Sequence, residues 1–547
     1  MVNITYGALN APSASANAVD NAIQTAGLDM IVTYGPADAQ MVAAYAPGDM
    51  AWILTCTALV LLMIPGLGYL YSGLTRRKNA LHMLLLTMMT LAVTSFQWFF
   101  WGYSLTFSAT GGAFLGNLRN FGFMGVLEAP ASGSSNKLPE IIYAMYECMF
   151  ACLVPAIAIG AACERARVWP FVIFTFIWAT LVYDPIAHWV WAPQGWAYKW
   201  GVLDYAGGGP VEICSGITGL TISYYLGKRR GYGTERLLFK PHNVSHIVLG
   251  TAFLWFGWLG FNGGSCFNAS LRAGMAIATT NTAASTAAIT WMLLDYRLER
   301  KWSVVGFCTG AIAGLVAITP AAGFVGVPAS VLIGVLSAAI SNFATGLKVH
   351  MRCDDAMDVF AVHALAGYVG LFLTGIFAQA SVAYNDGSLV IDGGWLDGNF
   401  IQLPYQIAWI VATTAWTAGV TFAIMFVLDH IPGIGPFRPT ETAEIIGMDE
   451  EQLGEWAYDW RADDDQVKES GGDAHIYEGP DAINIGGPSG GKLSVARQLE
   501  AEGDDEGSNN RTPTDDNTPG NNKPEISSHD AEKKLEHAPA NDVSVRH

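Results

Sequence analysis

Charge is scarce over most of this chain. Only 14% of the 547 residues are Asp, Glu, Lys or Arg, against 51% hydrophobic residues, a balance that excludes an ordinary soluble protein and indicates a polytopic membrane protein. The net charge of −18 belongs to the C-terminus: residues 431–547 hold 26 acidic and 10 basic residues, leaving 21 acidic and 19 basic in the first 430. CxxC pairs are absent, and the eight cysteines lie mostly inside apolar runs without Cys/His clusters, which argues against a disulfide framework or a zinc site. No nucleotide loop, metal cluster or nucleophile constellation is visible, so an enzyme, a cofactor and a nucleic-acid partner are not expected. Residues 1–49 have no basic residue and no compact apolar core followed by a small-residue cleavage site. A cleaved leader is therefore not expected, and the first span inserts the chain.

Long apolar runs are what the sequence does have. Runs able to cross about 30 Å of hydrocarbon fall at roughly 50–72, 80–107, 139–163, 168–191, 206–227, 244–263, 271–296, 302–319, 324–345, 355–380 and 403–430. The expected fold is an all-α membrane protein of eleven spans. Residues 1–49 form an extracellular segment, 50–430 the membrane-spanning domain, 431–469 a cytoplasmic segment and 470–547 an acidic tail. That tail is rich in Gly, Ser, Asn, Pro and Asp and should be disordered. Fifteen basic residues, among them Arg76, Arg165, Arg229, Arg236, Lys240, Arg300 and Lys348, lie in the loops of one side, against Arg119, Lys137, Lys199 and Arg272 on the other. Positive residues favour the cytoplasm, which puts the N-terminus outside and the tail inside. Asn3-Ile4-Thr5 is then a glycosylation sequon on the outer side.

Two ionisable residues inside the spans stand out. Asp204-Tyr205-Ala206-Gly207-Gly208 is followed by Glu212, eight residues after the aspartate, and Asp355 is followed at the same interval by His363. Eleven spans divide into two sets of five plus one, and five being odd, the second set runs in the opposite sense, the plan of many transporters with a site at the midplane. Taken as helix, eight residues rise about 12 Å, placing Glu212 and His363 at mirrored depth. Ionisable groups in lipid are costly and mark pathways. A carboxylate and an imidazole side by side would titrate as one coupled pair.

The stretch from Asp204 to Arg229 resembles the signature of the ammonium transporter family, carrying Asp-Tyr-Ala-Gly-Gly, Ser215-Gly216, Gly219-Leu220, Tyr224-Tyr225 and Gly227-Lys228-Arg229. The resemblance extends over about residues 50–460, through Cys163-Glu164-Arg165-Ala166-Arg167, Pro185-Ile186-Ala187-His188-Trp189-Val190-Trp191, Gly260-Phe261-Asn262-Gly263-Gly264-Ser265 and Asp354-Asp355 to His363. The long acidic extension is similar to the fungal branch. The resemblance implies a homotrimer of eleven-helix subunits in the plasma membrane, each with its own pore for ammonium or methylammonium. It implies recruitment of the ion at Trp191 and Ser265 beside Phe150, a gate of Phe150 and Phe261, a proton relay of Glu212 and His363, and support of the recruitment site by Asp204. An indole face attracts small cations and a hydroxyl can accept an ammonium proton. An apolar constriction beyond them excludes hydrated ions. Most of the family carries histidine at both relay positions, so Glu212 departs from the commonest pattern.

Other residues have plainer readings beside functional ones. His188 is expected to be a packed histidine, and Asp354, Asp355 and Asp358 are expected to cap span ten and link it to cytoplasmic loops. Tyr146 and Glu147 fall near the outer pore, where either could serve as a structural hydrogen-bonding residue. Thr442 to Leu453 should dock on the cytoplasmic face, where regulators or kinases could act through the tail. An ammonium-sensing receptor signalling through that tail is the alternative function; a rhesus-type gas channel is disfavoured by Trp191 and Ser265.

Overall fold

The computed structural model describes residues 30–34, 41–232 and 241–458. Asn3, Arg236, Lys240 and the tail from 470 lie outside the described residues. Each of the eleven apolar runs is helical. They are α1 (Pro47–Leu74), α2 (Ala80–Gln97, prolonged by Trp98–Gly102 and Tyr103–Phe107), α3 (Glu140–Ile159), α4 (Val168–Trp178, prolonged by Ala179–Tyr183 and Asp184–Trp191) and α5 (Gly208–Ile213 with Cys214–Leu226). Then follow α6 (Val244–Gly264), α7 (Leu271–Glu299), α8 (Val304–Ile318), α9 (Val327–Ala344), α10 (Phe360–Leu365 with Ala366–Phe377) and α11 (Gln402–Asp429).

Among the described residues, eight helices are long and apolar enough to cross a membrane, and α8 is apolar but shorter. The exceptions α5 and α7 are the polar ones, with Glu212, Ser215 and Thr218 in one and Thr279, Thr280 and Asn281 in the other. One feature departs from the all-α expectation: Met30–Tyr34 (β1) pairs antiparallel with Met41–Tyr45 (β2) ahead of α1. Tyr45 ends this hairpin buried, its hydroxyl donating to Glu128 O at 2.6 Å.

Small residues let the helices approach closely, since packing rather than the hydrophobic effect holds helices together in lipid. α1 packs most extensively along α6. At their crossing a Cβ on Gly66 would lie 2.8 Å from Phe253 Cβ, and one on Gly250 would lie 2.5 Å from Gly66 O.

On the predicted cytoplasmic side, buried acids tie loops together as expected for Asp354. Asp354 accepts from the backbone N and the guanidinium of Arg229 and faces Arg165 at 3.6 Å. Burial opposes its charge, but Arg229 and Arg165 hold its carboxyl below the usual range. Glu164 accepts from Thr75 and from the backbone and side chain of Arg76. Asp355 accepts from Phe360 N at 2.8 Å and so caps α10, while Asp358 pairs with Lys348 at 2.7 Å. The C-terminal segment docks here too, through Asp449, which accepts from Leu81 N and His82 N at the start of α2. Tyr458 meets His242 and Asn243.

Candidate functional site

Both helices that carry the ionisable pair begin later than their apolar runs. α5 starts at Gly208 and α10 at Phe360, so Asp204 and Asp355 precede their helices and cap them instead of belonging to them. The helical rise of about 12 Å from each aspartate to its partner is corrected accordingly, because the first half of each interval is not helix. Each helix opens with a wide π-helical turn, Gly208–Ile213 and Phe360–Leu365, in which Glu212 N reaches back five residues to Gly207 O at 3.1 Å. Such turns are frequent at functional sites.

Across the two helices His363 Nδ1 lies 2.8 Å from Glu212 Oε2, with Glu212 fully buried and His363 5% exposed. Glu212 Oε1 has no hydrogen-bond partner among the described residues. Two glycines allow this contact. A Cβ on Gly216 would meet Ala364 Cβ at 2.7 Å, and one on Gly367 would meet Glu212 Cβ at 3.1 Å. Neighbouring His363, a space of about 10 Å³ is lined by apolar residues including Leu67, Ile157, Leu254, Trp258 and Ile312.

Asp204 works through both its side chain and its backbone. Its carboxylate accepts from Gly207, Gly208 and Gly209 N–H groups at 3.1, 2.6 and 2.7 Å and from Trp409 Nε1 at 2.9 Å, which ties α5 to α11. Gly207 makes the turn possible at φ 114°, which strongly favours glycine. The Asp204 carbonyl accepts from Trp191 Nε1 at 3.1 Å and so orients the indole.

Trp191, Phe150, Ser265, Glu147 and Asp204 line one cavity of about 330 Å³. Ser265 donates its hydroxyl proton to Phe261 O at 2.8 Å, which leaves its lone pairs to accept. Tyr146 donates to the same carbonyl at 2.8 Å and lies 3.3 Å from Ser265 Oγ. Phe150 stands edge-on to Trp191 at 6.1 Å and is stacked on Phe261 at 4.1 Å, both phenylalanines being buried. The rings leave no passage between them. Lys137 and Arg272 also line the cavity, and Asp386 pairs with both at 3.1 and 3.2 Å. His188 lies outside this constellation, its ring nitrogens against the carbonyls of Thr106 and Gly112.

The structure therefore gathers Trp191, Ser265 and Phe150 at one cavity, stacks Phe261 behind Phe150, and joins Glu212 to His363. Sequence reasoning missed Trp409, which secures Asp204 from span eleven, and the Lys137–Arg272–Asp386 cluster. Neither has a local motif, since their partners lie more than 100 residues away.

The Ammonium Transporter Family profile matches residues 51–458. The chain is 50% identical over 423 residues to ammonium transporter 1 of Schizosaccharomyces pombe, covering 77% of this chain and 84% of that protein. It is 49% identical over 418 residues to ammonium transporter MEP2 of Saccharomyces cerevisiae, covering 75% and 83%. The crystal structure of Candida albicans Mep2 superposes with a TM-score of 0.70 at 48% identity, covering 76% of this chain and 91% of that one. With the helical architecture and the profile spanning α1 to the docked C-terminal segment, the chain belongs to the ammonium transporter family of multi-pass membrane proteins.

Proposed function

We propose that this protein imports ammonium, and methylammonium with it, across the plasma membrane. The cation is recruited at the outer cavity, loses a proton, and crosses as ammonia while the proton is relayed separately. The observation that carries this reading is the order of side chains: a cation-attracting indole and a hydroxyl acceptor at a cavity, closed by the Phe150–Phe261 stack, with the Glu212–His363 pair in the apolar interior. Trp191 and Ser265 would replace part of the ion's hydration shell. The stack admits nothing hydrated. Potassium resembles ammonium in charge and size but has no proton to give up, so deprotonation distinguishes the two. Glu212 Oε1 and the imidazole would accept and pass on the proton, and the carboxylate makes this pair more hospitable to a proton than two imidazoles.

The eleven helices would all cross the membrane, the N-terminus outside and the C-terminus in the cytoplasm; the basic residues Arg76–Lys78, Arg165, Arg167 and Lys228–Arg230 on one side support this orientation. The capped π-helical starts of α5 and α10 support two inverted halves. Assembly as a homotrimer rests on the sequence resemblance. Regulation of the pore by the segment 431–469 is supported by the contact of Asp449 with the start of α2.

Current recording from the purified protein in liposomes, comparing ammonium with potassium in the native chain and in Glu212→His, tests the reading. Ammonium-dependent current that changes in rate or selectivity in the variant is expected. Absence of both ammonium current and ammonium uptake in the native chain would overturn it.

A further inference from the structure

Spans two and four carry a second pair of π-helical turns, outside the Glu212–His363 helices. Trp98–Gly102 interrupts α2 and Ala179–Tyr183 interrupts α4. Gln97 immediately precedes the first and Asp184 immediately follows the second, and both side chains are fully buried. Gln97 Nε2 donates to Asp184 Oδ2 at 2.7 Å and to Thr180 Oγ1 at 3.0 Å. Gln97 Oε1 is buried with no hydrogen-bond partner among the described residues, and Asp184 Oδ1 is buried likewise, with the Thr106 hydroxyl interacting with the carboxyl.

Buried acceptors short of donors are costly in a dry interior. Asp184 interacts with Gln97 and Thr106, and no basic side chain pairs with it among the described residues. His188, one turn further along α4, is held by the carbonyls of Thr106 and Gly112. A carboxylate with no cation in the membrane interior is costly. One proton on Asp184 Oδ1 removes both problems, because the acid and the amide then form a cyclic pair. In it, Oδ1–H donates to Gln97 Oε1 and Nε2–H donates to Asp184 Oδ2.

Glu147 lines the cavity and interacts with the Tyr143 hydroxyl, and the buried Tyr183 hydroxyl has no hydrogen-bond partner among the described residues. Tyr183 lies within electrostatic reach of both Glu147 and Asp184, with Cys152 and Cys214 alongside. Tyr143 flanks Glu147 from the next turn of α3. Buried orphan atoms in such a series are the places where internal water sits.

We propose that Asp184 is a resident proton-binding site in the membrane interior, separate from the Glu212–His363 pair. It holds its proton in a cyclic pair with Gln97 and exchanges it with the outer cavity through Tyr183 and Glu147. The proton comes from cavity water and returns there, and no bond between heavy atoms changes. The site stands whatever the pore carries.

Infrared spectroscopy of the full chain in liposomes at neutral pH tests this. The native protein should show the carbonyl stretch of a protonated carboxylic acid that disappears in Asp184→Asn. That band should shift promptly in heavy water, and at least tenfold more slowly in Glu147→Gln or Tyr183→Phe. Asp184→Asn should keep the native melting temperature, since asparagine reproduces the donor and acceptor of the acid, whereas Asp184→Leu should lower it. Loss of a carboxylate band instead of an acid band in Asp184→Asn overturns the proton site. A deuterium shift unaffected by both Glu147→Gln and Tyr183→Phe overturns the route.

Discussion

Glu212 Oε2 and His363 Nδ1 are 2.8 Å apart, although 151 residues separate them in the chain. Each rides on the wide turn that opens its helix, and each helix is capped by an aspartate eight residues earlier. The second carboxylate oxygen, Oε1, has no hydrogen-bond partner among the described residues.

Glu212→Gln keeps the shape of the side chain and removes its charge and its capacity to take a proton. Ammonium current in liposomes should fall on the order of tenfold or more, the lower range for loss of a positioned proton acceptor. Melting temperature should change little, because an amide oxygen still accepts from His363. Undiminished current would exclude the carboxylate from the relay.

Gly216→Ala would force its new Cβ against Ala364, and Gly367→Ala would press on Glu212 Cβ. Each should cost about 1–3 kcal/mol by overpacking and lengthen the Glu212–His363 contact. Thermal unfolding together with ammonium uptake checks this. Substitutions that preserve both would mean the helices yield without disturbing the pair.

The cluster at the cavity mouth predicts a pH dependence. Burial opposes the charge of Asp386, but the Leu389 and Ser388 N–H groups with Lys137 and Arg272 hold its carboxyl down at about 2. Because this value lies below the roughly 3.9 of an unfolded aspartate, its stabilisation is fully present above that pH and is lost as pH falls towards 2. Asp386→Asn should flatten the melting temperature across the acid range and lower it at neutral pH. The variant also leaves two buried cations uncompensated at the cavity, so its apparent affinity for ammonium should weaken about tenfold, the effect of roughly 1.4 kcal/mol of repulsion. An unchanged concentration dependence would remove this cluster from the recruitment step.

Asp449→Ala deletes the carboxylate that receives Leu81 N and His82 N, a capping loss of about 1 kcal/mol. Hydrogen exchange of residues 436–458 should accelerate. Ammonium current should shift with it if docking regulates the pore; faster exchange with identical transport would sink that role.

The helical segments were legible because apolar runs of membrane length have few alternative structures. Their boundaries were less so. Asp204 and Asp355 sit at the edges of apolar runs, and composition cannot tell a first helical residue from a cap whose carboxylate gathers backbone N–H groups. β1 and β2 escaped notice because five-residue strands in a segment rich in alanine leave little pattern. Trp191, Ser265 and Phe261 lie in the long motifs that carry the family resemblance and Phe150 was assigned by that resemblance, but the 4.1 Å stack of the two rings comes from α3 and α6 and has no local signature.

The sequence by itself determined that this is a helical membrane protein, and its motifs pointed to the family, because hydropathy and local spacing are properties of neighbouring residues. Tertiary structure alone decided which buried polar groups meet. Glu212 finds His363, Asp204 finds Trp409 and Gln97 finds Asp184 across different helices. Those meetings depend on glycines at crossings and on wide turns that re-aim side chains, and a one-dimensional pattern records neither distance nor direction.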